Sequence, residues 1–260
     1  MSKTHGGPRM GFFDHLHELR RRILYCLAVL FVVTLITMNF APQIFEWLRQ
    51  PLEHLPHQKL IVLSPLELYI VYLKLAVLAA TFVSAPFILW QVWAFISPGL
   101  YAHEKRWISP FVALGSLFFV GGGAFAFFVV LPVGFKYVVA MMPETIESQY
   151  SVAIYFSLVI SLMLAFGLVF ELPLVMWILS AAGIVEPKTY SRLRRYWIVV
   201  AFIVAAVLTP PDPFTQVLMT IPLLIFFEAG IIGARIMYNR RRARPPQAVQ
   251  ASPDSQPQPR

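Results

Sequence analysis

Long apolar runs over residues 23–38, 66–95, 108–131 and 153–184 constrain this chain more than any motif it carries. Bilayer hydrocarbon is about 30 Å thick, and roughly twenty helical residues at 1.5 Å each cross it. In lipid, a lone segment satisfies its backbone only as a helix. With 58% hydrophobic residues, 13% charged and a mean hydropathy of +0.68, a soluble globule of 260 residues would lack polar surface. The composition therefore predicts an all-α polytopic membrane protein.

The basic residues set orientation. Of the 21 lysines and arginines, all but Arg49, Lys59, Lys74 and Lys136 fall in segments on one side of the expected spans. That side is the cytoplasm by the positive-inside rule. The formal charge of +8 is thus a topology signal, and nucleic acid is not an expected partner. Cys26, the single cysteine, excludes an intrachain disulfide.

Residues 1–22 are expected to form a cytoplasmic segment, with Phe12, Phe13, Leu16 and Leu19 on the apolar face of an interfacial helix. The first apolar run follows Arg20-Arg21-Arg22 as a signal-peptide core would. Asn39-Phe40-Ala41-Pro42 does not fit a cleavage site, so this is a retained span. An external segment over 42–65 holds an amphipathic stretch at 43–48. Pro86 is expected to kink the second span, and Gly121-Gly122-Gly123 to let the third approach a neighbour closely.

The third span is expected to end at Pro132, before an external segment over 134–152 with a short helix. The fourth encloses Glu171. Residues 186–196 read as a basic loop. Residues 197–208 then give only about 18 Å of helix before Thr209-Pro210-Pro211-Asp212-Pro213, and 214–227 is again short. This predicts short fifth and sixth spans, with locally thinned bilayer as one way to fit them. Six spans with both termini cytoplasmic make a membrane domain over 23–236, followed by a disordered basic, proline-rich tail over 237–260.

No metalloprotease, nucleophile-elbow or Walker motif occurs, which argues against an enzyme, and no cofactor is expected. His54-x-x-His57 has too few ligands for a metal site. His15, His17 and His103 read as interfacial side chains, and Lys74 as a snorkelling cation. Two features stand out. Glu171 is an acid inside a span, read either as a functional polar site or as a side chain hydrogen-bonded to a neighbouring span. It is expected on the order of 20 Å of helix from the cytoplasmic surface. Glu18 and Glu104 are carboxylates among cytoplasmic arginines and lysines, where local ion pairing is the plainer reading. Trp90 and Trp93 mark the interface beside Pro98-Gly99 and Glu104.

The run from His15 to Arg22, the stretch from Ser84-Ala85-Pro86 to Glu104-Lys105-Arg106, Phe166-Gly167-Leu168-Val169-Phe170-Glu171-Leu172-Pro173, and Leu208-Thr209-Pro210-Pro211-Asp212 resemble, in order, the TatC family of twin-arginine translocase subunits. The resemblance implies a six-span cupped bundle in the bacterial inner membrane. Its members receive folded cargo proteins through Arg-Arg signal peptides and work with single-span TatA and TatB, other TatC copies and the proton motive force.

By motif, Glu104 would contact the arginine pair, with Phe95, Glu18, Leu19 and Arg20 completing the surface. Glu171 would be the intramembrane polar residue, and Thr209 and Gln216 would belong to the partner-docking cluster. Ala206 is smaller than in some relatives. Pro51 would be the sensitive proline of the first external loop, and Pro86 and Asp212 lie in the shared motifs. A proton-coupled transporter would also use a mid-membrane acid, but it should show two related halves, which are not found. An intramembrane enzyme would need a nucleophile with its base, or a metal triad.

Overall fold

The structure, a computed structural model, describes residues 12–53, 58–96, 108–141, 148–208 and 213–242. Its helices are α1 (Phe12–Thr37), α2 (Ala41–Glu53), α3 (Pro65–Ile96), α4 (Ile108–Phe125), α5 (Leu131–Ala140), α6 (Val152–Ala181), α7 (Pro187–Leu208) and α8 (Pro213–Arg242). Two short strands, β1 (Gln58–Ile61) and β2 (Ser148–Ser151), pair in parallel with Gln58 opposite Ser148. Five segments are long and apolar enough to cross a membrane: His15–Pro51, Pro65–Phe95, Pro110–Ala140, Val152–Ala181 and Pro213–Asn239.

α6 is the central helix, packed against α3, α4 and α8. Tyr155, Phe156, Val159, Leu162 and Phe166 are fully buried in the main core, where Leu75 of α3 and Leu223 of α8 meet them. Only Ile154, Ser161, Leu168 and Val175 of α6, spaced by seven, form an exposed stripe. α1 is apolar on nearly every side and largely exposed, as a lipid-facing helix is. It is tied to α3 where Thr37 Oγ1 donates to the Ala76 carbonyl at 2.8 Å. In α2, Ala41, Phe45 and Leu48 are buried at helical spacing, and the Leu48 carbonyl accepts from the Tyr155 hydroxyl at 2.8 Å.

Several boundaries differ from the sequence expectation, each for a local reason. The third segment does not stop at Pro132, because a π-helical stretch over Ala126–Val130 joins α4 to α5. A proline lacks an N–H and crowds the carbonyl four residues back; a wider turn just before it relieves both. α3 likewise continues through Pro86. α6 ends before Ile184 because Gly183 takes φ 69°. The Ile184 N–H bonds the Leu179 carbonyl and the Gly183 N–H bonds the Ser180 carbonyl, a glycine-closed helix end.

The tight turn after Gly183 lets α7 begin at Pro187, so the expected basic loop is helix. α8 runs thirty residues, which corrects the expected short sixth span. Glu228 does not end it, since the carboxylate pairs with Arg194 of α7 at 2.7 Å. α7 remains short in apolar length, its first ten residues holding Lys188, Arg192, Arg194 and Arg195. Of the expected tail, residues 237–242 continue α8 and the rest lies outside the described residues.

The glycine triplet divides as close packing requires. A Cβ on Gly122 would collide with the Phe166 carbonyl of α6, whereas one on Gly121 would meet nothing within 4 Å. Gly122→Ala should therefore destabilise the detergent-solubilised protein by about 1–3 kcal/mol, read as a lower thermal midpoint, while Gly121→Ala leaves the midpoint unchanged or higher. Equal effects would contradict the backbone contact.

Candidate functional site

The N-terminal turns of α1 pack against the last turns of α3. The His15 ring stacks on Phe95 with centroids 4.2 Å apart. Two turns along α1, Arg22 bridges the helices: Nε and Nη2 donate to Glu18 Oε1 at 3.1 and 2.5 Å, and Nη1 donates to Gln91 Oε1 at 3.0 Å. Both contacts to Glu18 fall on one oxygen. Its Oε2 is buried and has no partner among the described residues. Glu18 is thus a carboxylate with one oxygen held by Arg22 and the other buried without a partner among the described residues.

Leu19 is half-buried beside it and Arg20 is exposed. Arg21 turns away to Tyr25, whose hydroxyl accepts from Nε at 2.8 Å. Of the local ion pairs expected for Glu18, only that to Arg22 is found among the described residues. Glu104 and its neighbours His103, Lys105 and Arg106 lie outside the described residues, as do His54, His57, Thr209 and Asp212.

Glu171 is buried on α6 toward α4. Its Oε2 lies near Gly115, where a Cβ would sit 3.1 Å from it and 3.2 Å from Leu89 of α3. Oε1 is buried with no partner among the described residues, so the hydrogen bond to a neighbouring span is not seen there. Burying an unpartnered polar oxygen is unfavourable, and such groups mark functional sites in membranes.

The position of Glu171 differs from the sequence expectation. Glu171 is ten residues before the end of α6, about 15 Å rather than 20 Å. Leu89 is only two residues from Gln91 along α3, so Glu171 stands at nearly the depth of the Arg22 bridge. The two acids are separated sideways, with α3 between them.

The remaining expected residues are dispersed. Gln216 of α8 is half-buried and its Nε2 donates to the Phe202 carbonyl of α7 at 3.1 Å, so this amide holds α7 and α8 together. Ala206 of α7 is exposed. Pro51 lies half-buried inside α2, and Pro86 lies exposed inside α3. Lys74 donates to Ser157 Oγ at 3.0 Å, joining α3 to α6. Among the described residues no three metal-ligating side chains come together. An apolar cavity of about 140 Å³ between α5, α6 and α8 is lined by Leu131, Phe135, Leu158 and Leu218, among others.

Glu67 was not anticipated. Its Oε2 accepts the backbone N–H groups of Leu63 and Ser64 at 2.5 and 3.3 Å, and its Oε1 accepts Ser151 Oγ and the Ala153 N–H at 2.5 and 2.7 Å. One carboxylate thereby clasps the starts of α3 and α6. Ser64-Pro65-Leu66-Glu67, a capping box before an apolar run, was the available signal. Gln91 is the other omission, a polar residue between Trp90 and Trp93.

The family model described as Sec-independent protein translocase protein (TatC) matches residues 14–222. A protein of that name from Halothiobacillus neapolitanus is 39% identical over 236 residues, which is 90% of this chain and 64% of the relative, just under two thirds of its length. Another from Magnetococcus marinus is 38% identical over 230 residues, 88% of this chain and 85% of the relative. A crystal structure described as the twin-arginine translocase receptor TatC superposes with a TM-score of 0.80 at 38% identity, covering 86% of this chain and 99% of that one. With the family model spanning most of the sequence, a relative 38% identical covered over 85% of its length, and a TM-score of 0.80 to a solved member, this chain belongs to the TatC family of protein translocase components.

Proposed function

We propose that this chain is the receptor subunit of a twin-arginine translocase, binding the Arg-Arg signal peptides of folded cargo at its cytoplasmic face. It would be a transport component and not an enzyme. The half-filled Glu18 carboxylate at the junction of α1 and α3 carries this reading. A guanidinium is planar and permanently charged, so a fixed carboxylate oxygen selects it by geometry as well as charge. Glu104, Phe95, Leu19 and Arg20 complete the surface, Phe95 through its stack with His15.

In this reading α7 is a sixth crossing beside the five long apolar segments, and the bundle is cupped. Residues 1–22 and the tail from 237 flank a membrane domain over 23–236, in the inner membrane of a bacterium. Single-span TatA- and TatB-type subunits dock near Thr209, Gln216 and exposed Ala206, other copies of the chain assemble alongside, and the proton motive force drives export. Pro51, Pro86 and Asp212 shape the segments around these sites. Only α7 has a short apolar length, so any thinning of the bilayer is centred there.

Replacing Glu104 by Ala should weaken binding of an Arg-Arg signal peptide to the purified protein about ten- to hundredfold, and by Gln less, because charge-assisted hydrogen bonds exceed neutral ones. Wild-type affinity in a folded Ala variant would reject the assignment.

Cysteines placed at His103 and Asn239 should label from the cytoplasmic side only, and one at Asp212 from outside only. Reversed labelling would overturn the orientation.

Glu171→Ala should leave peptide binding near wild type while reducing export and altering the response to partner subunits, with Glu171→Gln milder. α3 stands between this carboxylate and the Arg22 bridge, so the role is assigned to a step after recognition. Loss of peptide binding in folded Glu171→Ala would show that one site does both.

A further inference from the structure

As a loop, residues 186–196 would scatter their cations; as the first turns of α7, they are ordered. Lys188, Arg192 and Arg195 fall at i, i+4 and i+7, one face of the helix, and all three are exposed. Arg194 points elsewhere, to Glu228 of α8, and Ser191 accepts from Arg235 at 3.1 Å. The nearby acids are engaged, Glu228 by Arg194 and Glu186 by the Tyr238 hydroxyl at 3.4 Å. Arg195 bonds its own neighbour, the Tyr196 hydroxyl, at 2.9 Å. Lys188 and Arg192 make no hydrogen bond or ion pair among the described residues.

The same face continues, at the same helical spacing, through Val199, Ile203 and Ala206, all exposed. It is therefore cationic for two turns and then apolar for two. From Arg195 to Ala206 the rise is about 16 Å, half the hydrocarbon thickness of a bilayer.

We propose that this face of α7 binds an anionic phospholipid, its phosphate on Lys188, Arg192 and Arg195 and its acyl chains along Val199 and Ile203. The inference rests on the reading of α7 as a membrane segment. Guanidinium groups match phosphate oxygens in paired hydrogen bonds, and an ammonium adds a point charge. An acidic protein or RNA would complement the cations alone; the apolar continuation of the stripe favours a lipid. Such a lipid holds the short apolar part of α7 at a fixed depth, next to the Gln216–Phe202 contact.

The test is native mass spectrometry of the full chain in detergent, titrated with phosphatidylglycerol or phosphatidylcholine of identical acyl chains. Wild type should retain phosphatidylglycerol preferentially. The combined Lys188→Gln, Arg192→Gln, Arg195→Gln variant should lose that preference by about tenfold or more, whereas Lys136→Gln keeps it. Thermal unfolding checks that the variants fold; if the triple variant does not fold, Arg192→Gln alone, which removes an exposed side chain with no partner among the described residues, should show a smaller loss of preference.

Equal retention of the two lipids by wild type, or an unchanged preference in the folded variants, would overturn the proposal. So would displacement of phosphatidylglycerol by polyglutamate, which would assign the face to an acidic protein. Binding of an Arg-Arg peptide, measured on the same preparations, separates the outcomes: its failure with lipid preference intact counts against the receptor reading alone.

Discussion

Hydrocarbon offers a backbone amide nothing to bond to, and the course of this chain follows from that constraint. The segment over 108–140 stays helical through Pro132 by widening into a π turn, because ending there would expose carbonyls to lipid. α3 passes through Pro86 as continuous α-helix. The only strand pairing described, β1 with β2, lies at the starts of α3 and α6, where each apolar segment begins. There the backbone groups of two helix starts converge on Glu67, which takes four hydrogen bonds at once. At the other end of α6, Gly183 closes the helix and the chain turns directly into α7.

Within that frame, polar side chains divide by how completely they are partnered. Lys74 with Ser157 and Gln216 with the Phe202 carbonyl join neighbouring helices. Two acids are different. Glu18 gives both contacts from Arg22 to one oxygen, and Glu171 faces Gly115, Leu89 and Leu174. Fully satisfied polar groups hold helices together. Incompletely satisfied ones keep capacity for a ligand, and keeping it costs stability. The receptor reading gives Glu18 an arginine of the signal peptide and gives Glu171 a later partner inside the membrane.

Much of this was legible in the residues, and what was not has physical causes. The four apolar runs are strong signals, since each sums over many residues. The close approach at Gly122 was readable because only glycine lets two helix backbones meet so nearly. Boundaries differ where a breaker residue is overruled by its surroundings: Pro132 is absorbed by the π turn, and Glu228 is neutralised by Arg194, a pairing that depends on how α7 and α8 dock. The ordering of Lys188, Arg192 and Arg195 stayed hidden for the same reason, because a basic stretch reads as a loop until Pro187 starts a helix. The depth of Glu171 relative to Gln91 depends on how α3 and α6 are staggered, and no linear pattern encodes that.

In the receptor reading, Glu18 at the junction of α1 and α3 accepts a guanidinium of the signal peptide's arginine pair. Crosslinking a signal peptide with a photoreactive residue beside its Arg-Arg pair to the purified protein tests it most directly. Adducts at the junction, around Glu18 and Phe95, that vanish when the pair is changed to Lys-Lys are the predicted result. Equal crosslinking by both peptides, or adducts only along α6 near Glu171, would contradict it.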